Sequence, residues 1–315
     1  MLHFNAEAFH GRPNPFHEGQ CIRTTSAPTI PPPHPDPHVP SFKLPPKACD
    51  THCHIFGPNE RYPYVPERPY TPPDAPLEMF RALHNRLGVE RAVIVNATPH
   101  GRDNRVVTDA IAQSNGRYKG VANVDETFSD QDLRRLADAG MTGCRFTFLP
   151  RLGKAPDMSS FDRIVERIAA LDWHVDLYLP ATLLPDFRPR LMALPVPYVL
   201  DHMGVVDAGL GLDQLAFVAL LDLVRSDEKC WVKVTCPERI SRAGSPFHDV
   251  APFGKALIDA APDRVLWGTD WPHPNVPVMP DDGDLVDLIP LYAPDPAVQH
   301  KLLVENPARL FRFAD

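Results

Sequence analysis

The 315-residue sequence predicts a (β/α)8 barrel preceded by an extended arm. Two observations carry this reading. Eight short β-branched runs follow one another beyond residue 46, and amphipathic stretches with apolar residues at helical spacing lie between them. Eight strand-then-helix units in about 265 residues suit such a barrel, with a doubly wound open sheet as the alternative.

Residues 1–46 come first and hold eleven of the 38 prolines, many in "APTIPPPHPDPHVPSFKLPP". Proline lacks a backbone donor and favours extended polyproline geometry, so an arm is expected that wraps the barrel or a neighbouring subunit. Residues 47–315 should form the barrel. "ACDTHCHIF" is its first strand, and the helix "LEMFRALHNRLG" follows with Gly88 as its C-cap. "RAVIVNA" and "KGVANVD" are the second and third strands, then the helix "DLRRLADAG" with Gly140 at its end. "TGCRFTF", "HVDLYLP" and "PYVLD" continue the sheet, with "FDRIVERIAALD" helical between the first two. The helix "DQLAFVALLDLVRSD" leads to the last strands, "CWVKVTC" and "RVLWGTD".

Composition narrows the function classes. The chain is 43% apolar and 23% charged, an ordinary globular balance with room for a large core. A formal charge of −8 argues against a nucleic-acid surface, whose affinity comes from neutralising phosphates. No run of 18 apolar residues suggests a membrane span, and the start lacks a basic and then apolar leader, so a cytoplasmic protein is expected, as a monomer or small homo-oligomer. The six cysteines show no C-x-x-C spacing and mostly sit in apolar runs, against a disulfide framework.

Active sites on this fold gather at the C-terminal strand ends. Those ends carry His52 and His54, Asn96 and His100, Asp125, Arg145 with Arg151 beyond it, Tyr178, His202, Arg239 and Asp270. Asp125 is better read as a turn residue, and His100 is equally weak as a catalyst. His174 begins its strand, at the stability face, and reads as structural. His52, His54, His202 and Asp270 could each be a satisfied buried polar group, but four such groups ending separate strands would each need their own explanation.

"DTHCHIFGP", "LDHMG" and "WGTDWPHPN" together resemble the amidohydrolase superfamily, and more narrowly its 2-pyrone-4,6-dicarboxylate lactonases. "ERPYTP", "RFTFLPR", "CPERIS", "MPDDGDLVDLIP" and "KLLVENPARL" extend the resemblance along the barrel but not into the arm. It implies hydrolytic opening of 2-pyrone-4,6-dicarboxylate to 4-carboxy-2-hydroxymuconate, in the breakdown of lignin-derived aromatics. Asp270 would be the general base, and His52, His54 and His202 would polarise the lactone carbonyl. Arg145, Arg151 and Arg239 would grip the carboxylates as planar forks, with Tyr70, Tyr178 and Asn275 adding hydrogen bonds.

Most of the wider superfamily uses divalent ions, whereas lactonases similar to this chain work without one. No cofactor is therefore expected. The alternative is one zinc on His52, His54 and Asp270, three ligands and an open position. Against it, the bridging Lys or Glu of binuclear relatives has no counterpart at strands four or five, where Arg145 and Tyr178 stand, and a cationic pocket repels a dication. Thr147, Pro150, Pro180, Asn96 and Pro99 depart from the lactonase pattern beside the pocket. 4-Sulfomuconolactone, another muconolactone or a sugar-acid lactone thus remain alternatives, as does a metal-dependent decarboxylase. A lactone isomerase would be expected to carry Asn where this chain has Asp270, and a non-catalytic binding protein would not need a carboxylate facing three histidines.

Overall fold

The structure is a computed structural model that describes residues 27–153 and 155–314. Its eight parallel strands pair in sequence order: β1 (Cys49–Cys53), β2 (Arg91–Val95), β3 (Tyr118–Ala122), β4 (Met141–Thr147), β5 (His174–Tyr178), β6 (Tyr198–Leu200), β7 (Cys230–Val234) and β8 (Val265–Trp267). Helices cover the outer face, which is why the strands read as nearly unbroken apolar runs.

Side chains and loop amides close the seam between β8 and β1. Asp50 accepts from the Thr269 amide at 3.1 Å and its hydroxyl at 2.5 Å, and Thr51 Oγ1 donates to Trp267 O at 2.8 Å. Above them the Asp270 amide donates to His52 O and the His54 amide to Trp271 O, both at 2.7 Å. Gly268 permits this approach: a Cβ there would lie 2.6 Å from His52 N and 2.7 Å from Asp50 Oδ1.

Two of the helices show how local chemistry sets their ends. Leu77–Leu87 stops where Gly88 takes the left-handed conformation, φ 83°, and returns its amide to His84 O. The expected helix at 132–140 starts earlier, at Asp130, because Ser129 and Asp132 form a reciprocal capping box, and Gly140, φ 94°, makes the turn into β4. β6 and β8 are shorter than the sequence suggests. His202 (φ 53°) and Asp270 (φ 67°) adopt left-handed backbone, which cannot continue a strand.

Inside the barrel, a small apolar cluster of Cys49, Val93, Val121, Val199, Trp231 and Leu266 is closed from below by Phe311 and Phe313. That end is sealed, and polar side chains occupy the other. Of the expected arm, residues 1–26 lie outside the described residues. From residue 27 it runs along the barrel: the Ile30 amide reaches Thr71 O at 3.2 Å and the Phe42 amide reaches Asp287 Oδ1 at 2.8 Å. Cys49, Cys53, Cys144, Cys230 and Cys236 are buried free thiols. Among the described residues no helix is long and apolar enough to cross a membrane.

Candidate active site

The C-terminal strand ends enclose a pocket lined by His54, Tyr70, Arg145, Arg151, Tyr178, His202, Arg239, Asp270 and Asn275. Nine of the ten residues singled out from sequence thus meet there. The tenth, His52, is fully buried beneath the floor, with Nε2 3.5 Å from Asp270 Oδ1. A larger groove of about 790 Å³ lies at the sealed end around Trp231 and Arg309. Its acids, Asp172, Glu228 and Asp263, are all exposed and it has no histidine, so the buried carboxylate and histidines singled out from sequence belong to the smaller pocket.

Asp270 is the buried carboxylate of that pocket. Oδ1 lies 3.2 Å from His54 Nε2, and Oδ2 accepts from Arg239 Nη2 at 2.9 Å. Burial alone disfavours the anion, but the groups around it, His202, Arg239 and His54, outweigh that and hold its pKa well below the usual carboxylate range. Arg239 is the permanent charge among them, because burial keeps the His202 ring neutral. His54 Nδ1 lies 2.8 Å from Val95 O, which can only accept, so that nitrogen carries a proton. His202 Nδ1 is held by Thr235 Oγ1 at 2.7 Å beside Cys236 Sγ, which turns the opposite edge of the ring to the pocket.

Sequence reasoning missed the groups below His52. Lys233, on β7, is fully buried, with Nζ 2.5 Å from Asp176 Oδ2, 3.2 Å from Asp201 Oδ1 and 3.1 Å from His52 Nδ1. Asp201 Oδ2 accepts from Arg145 Nε at 3.0 Å. Parity is the signal that could have found them: Trp231, Lys233 and Thr235 alternate with the apolar residues that face the helices, so a lysine in "CWVKVTC" must point into the barrel.

The anion side is crowded with donors. Arg151 is exposed and donates through Nη2 to Tyr178 OH at 3.0 Å, while Arg145 lies over the Tyr178 ring at 5.0 Å. Arg239 also donates to Pro274 O at 2.7 Å. Burial pushes the Tyr178 phenol up to about 12 and raises Tyr70 further, so both hydroxyls stay protonated donors. Three guanidiniums and two phenols in one small pocket supply the kind of donors that a carboxylate ligand would need.

Residues 49–313 match the family model described as amidohydrolase. The chain belongs to the amidohydrolase family. It is 46% identical over 285 residues to a 2-pyrone-4,6-dicarboxylate hydrolase from Comamonas testosteroni, covering 88% of this chain and 93% of that one. It is 44% identical over 275 residues to a 4-sulfomuconolactone hydrolase from Rhizobium radiobacter, covering 86% and 92%. A crystal structure of a putative 2-pyrone-4,6-dicarboxylic acid hydrolase from Pseudomonas putida superposes with a TM-score of 0.75 at 29% identity, covering 86% of this chain and 100% of that one. A zinc-bound amidohydrolase structure from Burkholderia multivorans shares the fold, with a TM-score of 0.66 at 20% identity over 85% of this chain and 99% of that one.

In this amidohydrolase His52, His202 and Asp270 form one group of possible metal ligands at the site, beside His52 with Asp176 and Asp201 and Cys236 with Glu238 and Asp270, the donor atoms of each group lying within 4.8 Å of one another. The set expected from sequence had His54 in place of His202. Three protein cations already attend the acids here: Arg239 on Asp270, Arg145 on Asp201 and Lys233 on Asp176 and Asp201. Asp125 behaves as a turn residue, accepting from Thr127 N and Oγ1. His100 stacks on Phe56 and packs against Tyr64, and it does not line the pocket. His174 faces Gly143, where a Cβ would lie 2.5 Å from its ring, and packs on Phe311 at the sealed end.

Proposed function

We propose that this chain is a lactonase that opens a small acidic lactone, 2-pyrone-4,6-dicarboxylate or a close analogue, with Asp270 as general base. The observation that carries this is a buried carboxylate among histidines, in a pocket ringed by Arg145, Arg151, Arg239, Tyr70 and Tyr178. Its two most similar relatives named above are described as hydrolases of lactones, one dicarboxylated and one sulfonated.

Asp270 takes a proton from water, and the resulting hydroxide adds to the lactone carbonyl carbon. His202, whose free ring edge faces the pocket, hydrogen-bonds the carbonyl oxygen as it becomes an oxyanion, while His54, engaged by Val95 O and Asp270, holds the base in place. When the ring C–O bond breaks, Asp270 returns its proton to the departing enolate oxygen, which regenerates the carboxylate and leaves one acid and one enol. The arginines hold the substrate carboxylates and so fix the carbonyl within reach of the base. The hydrolysed bond needs no oxidant or second substrate beyond water.

We propose further that no resident metal is required. A dication on His52, His202 and Asp270 would sit among Arg145, Arg239 and Lys233, and the acids it would neutralise are already paired, so the set does not fit a metal. The five buried free thiols suit a reducing, cytoplasmic setting. A sulfonated muconolactone is the second reading, because guanidinium forks bind sulfonate as they do carboxylate and the Rhizobium relative is 44% identical. The test is a panel of 2-pyrone-4,6-dicarboxylate, 4-sulfomuconolactone and a neutral sugar lactone. The account expects an acidic lactone to be opened fastest; a neutral lactone as best substrate would overturn it.

A further inference from the structure

Lys233 is a fully buried ammonium that the hydrolytic steps do not use. Burying a charge is unfavourable unless it is paired and hydrogen-bonded, so its partners indicate what it does. An ammonium has three protons and no lone pair. Its contact with His52 Nδ1 at 3.1 Å is therefore a hydrogen bond only if Nδ1 is unprotonated. A neutral imidazole with a bare Nδ1 carries its proton on Nε2.

We propose that Lys233 is a positioning residue that fixes the tautomer of His52: anchored by Asp176 and Asp201, its ammonium donates to Nδ1 and so makes Nε2 an N–H donor aimed up at Asp270. Three further observations agree. His52 Nε2 is buried without a partner in hydrogen-bonding range, and the acceptor it faces is Asp270 Oδ1 at 3.5 Å. Asp201 Oδ1 is 3.3 Å from Nδ1 and would favour the opposite tautomer, but a proton there would point at an ammonium, and Arg145 already draws on the same carboxylate. The two buried acids, Asp176 and Asp201, are matched by two cations, Lys233 and Arg145, so the cluster does not need a charged His52.

Two consequences follow. His52 supplies a neutral donor under the base, helping to hold Asp270 as an anion. It also presents N–H where a metal ligand would need a lone pair, so Lys233 excludes a metal from Nε2. The catalytic meaning rests on the lactonase reading, but the tautomer does not.

The experiment is nitrogen-15 NMR of the full chain at neutral pH, with histidine ring nitrogens labelled and chelator present, the His52 signals being assigned by their loss in His52→Gln. The expected result is a protonated Nε2 and a bare Nδ1. A protonated Nδ1, alone or together with Nε2, would overturn the proposal. In Lys233→Met the ammonium is gone and the Asp201 Oδ1 acceptor remains 3.3 Å from Nδ1, so the proton should move to Nδ1; a Met variant that folds and keeps Nε2–H would also overturn it. If that variant does not fold, the wild-type spectrum alone decides. No substrate enters the measurement, so a missing lactonase activity and a wrong tautomer give separate results.

Discussion

Arg145, Arg151 and Arg239 share one pocket but differ in what holds them before any ligand arrives. Arg145 and Arg239 are almost fully buried on Asp201 and Asp270, whereas Arg151 is exposed and, among the described residues, has Tyr178 rather than an acid as its partner. Arg151→Ala should therefore act on substrate binding alone. It should lower kcat/KM for a dicarboxylated lactone by roughly 30-fold to 1,000-fold, the loss of a charge-assisted bidentate pair, and spare a lactone lacking the matching carboxylate. Arg239→Ala should do something more. Removing the cation from Asp270 Oδ2 raises the carboxyl pKa, so the acid limb of kcat/KM against pH should move to higher pH, while Arg151→Ala leaves that limb in place. Equal pH profiles for the two variants would contradict the assignment of Asp270 as the group under Arg239. These residues were legible in the sequence because each lies toward the end of a strand or just beyond one, within a short motif. Lys233, Asp176 and Asp201 were not, because a lone charge inside an apolar run shows its meaning only when neighbouring strands bring its partners around it.

At the scale of elements, two segments are held to the helix Asp282–Asp287 by histidines, and each makes a pH prediction. The loop after β8 is pinned by His273. Burial alone would strip its proton, but Asp282 at 3.0 Å and Glu238 at 3.8 Å overcome this and push its pKa up to about 10. A raised folded-state pKa adds stability that is complete below the unfolded value near 6.5 and is lost as pH rises through about 10. Tm should fall across that window, and less steeply in His273→Asn; an identical slope in the variant would remove His273 as the cause. The arm is latched by His38, whose pKa is raised, first by its hydrogen bond to Asp287 and also by Asp281 and Asp284. This latch too weakens as pH rises through the raised value. Because the His38 side chain is 42% exposed, the effect should stay within about 1 kcal/mol, visible as faster exchange of the Phe42 amide but not as unfolding. The strands were legible as β-branched runs, and the helix ending at Gly88 as an apolar period closed by a glycine. The turns just beyond β6 and β8 were not, because the left-handed backbone at His202 and Asp270 is set by the site rather than by local preference.

For the whole molecule, the barrel places a cationic pocket on a chain of net charge −8. Overall charge therefore says little about the ligand, while the C-terminal strand ends say much. The sealed end, plugged by Phe311 and Phe313, carries stability, and the open end carries the polar groups that a core would otherwise exclude. The central claim is that Asp270 opens an acidic lactone without a metal. Its most direct measurement is the rate of pyrone absorbance loss when chelator-stripped protein and its Asp270→Asn variant meet 2-pyrone-4,6-dicarboxylate. Asn keeps the shape and loses the proton acceptor, so the account predicts full activity in the stripped wild type and a fall of at least about 10³-fold in kcat in a folded, substrate-binding variant. Activity that vanishes on stripping and returns in proportion to added zinc, or an Asn variant that turns over at the wild-type rate, would contradict it.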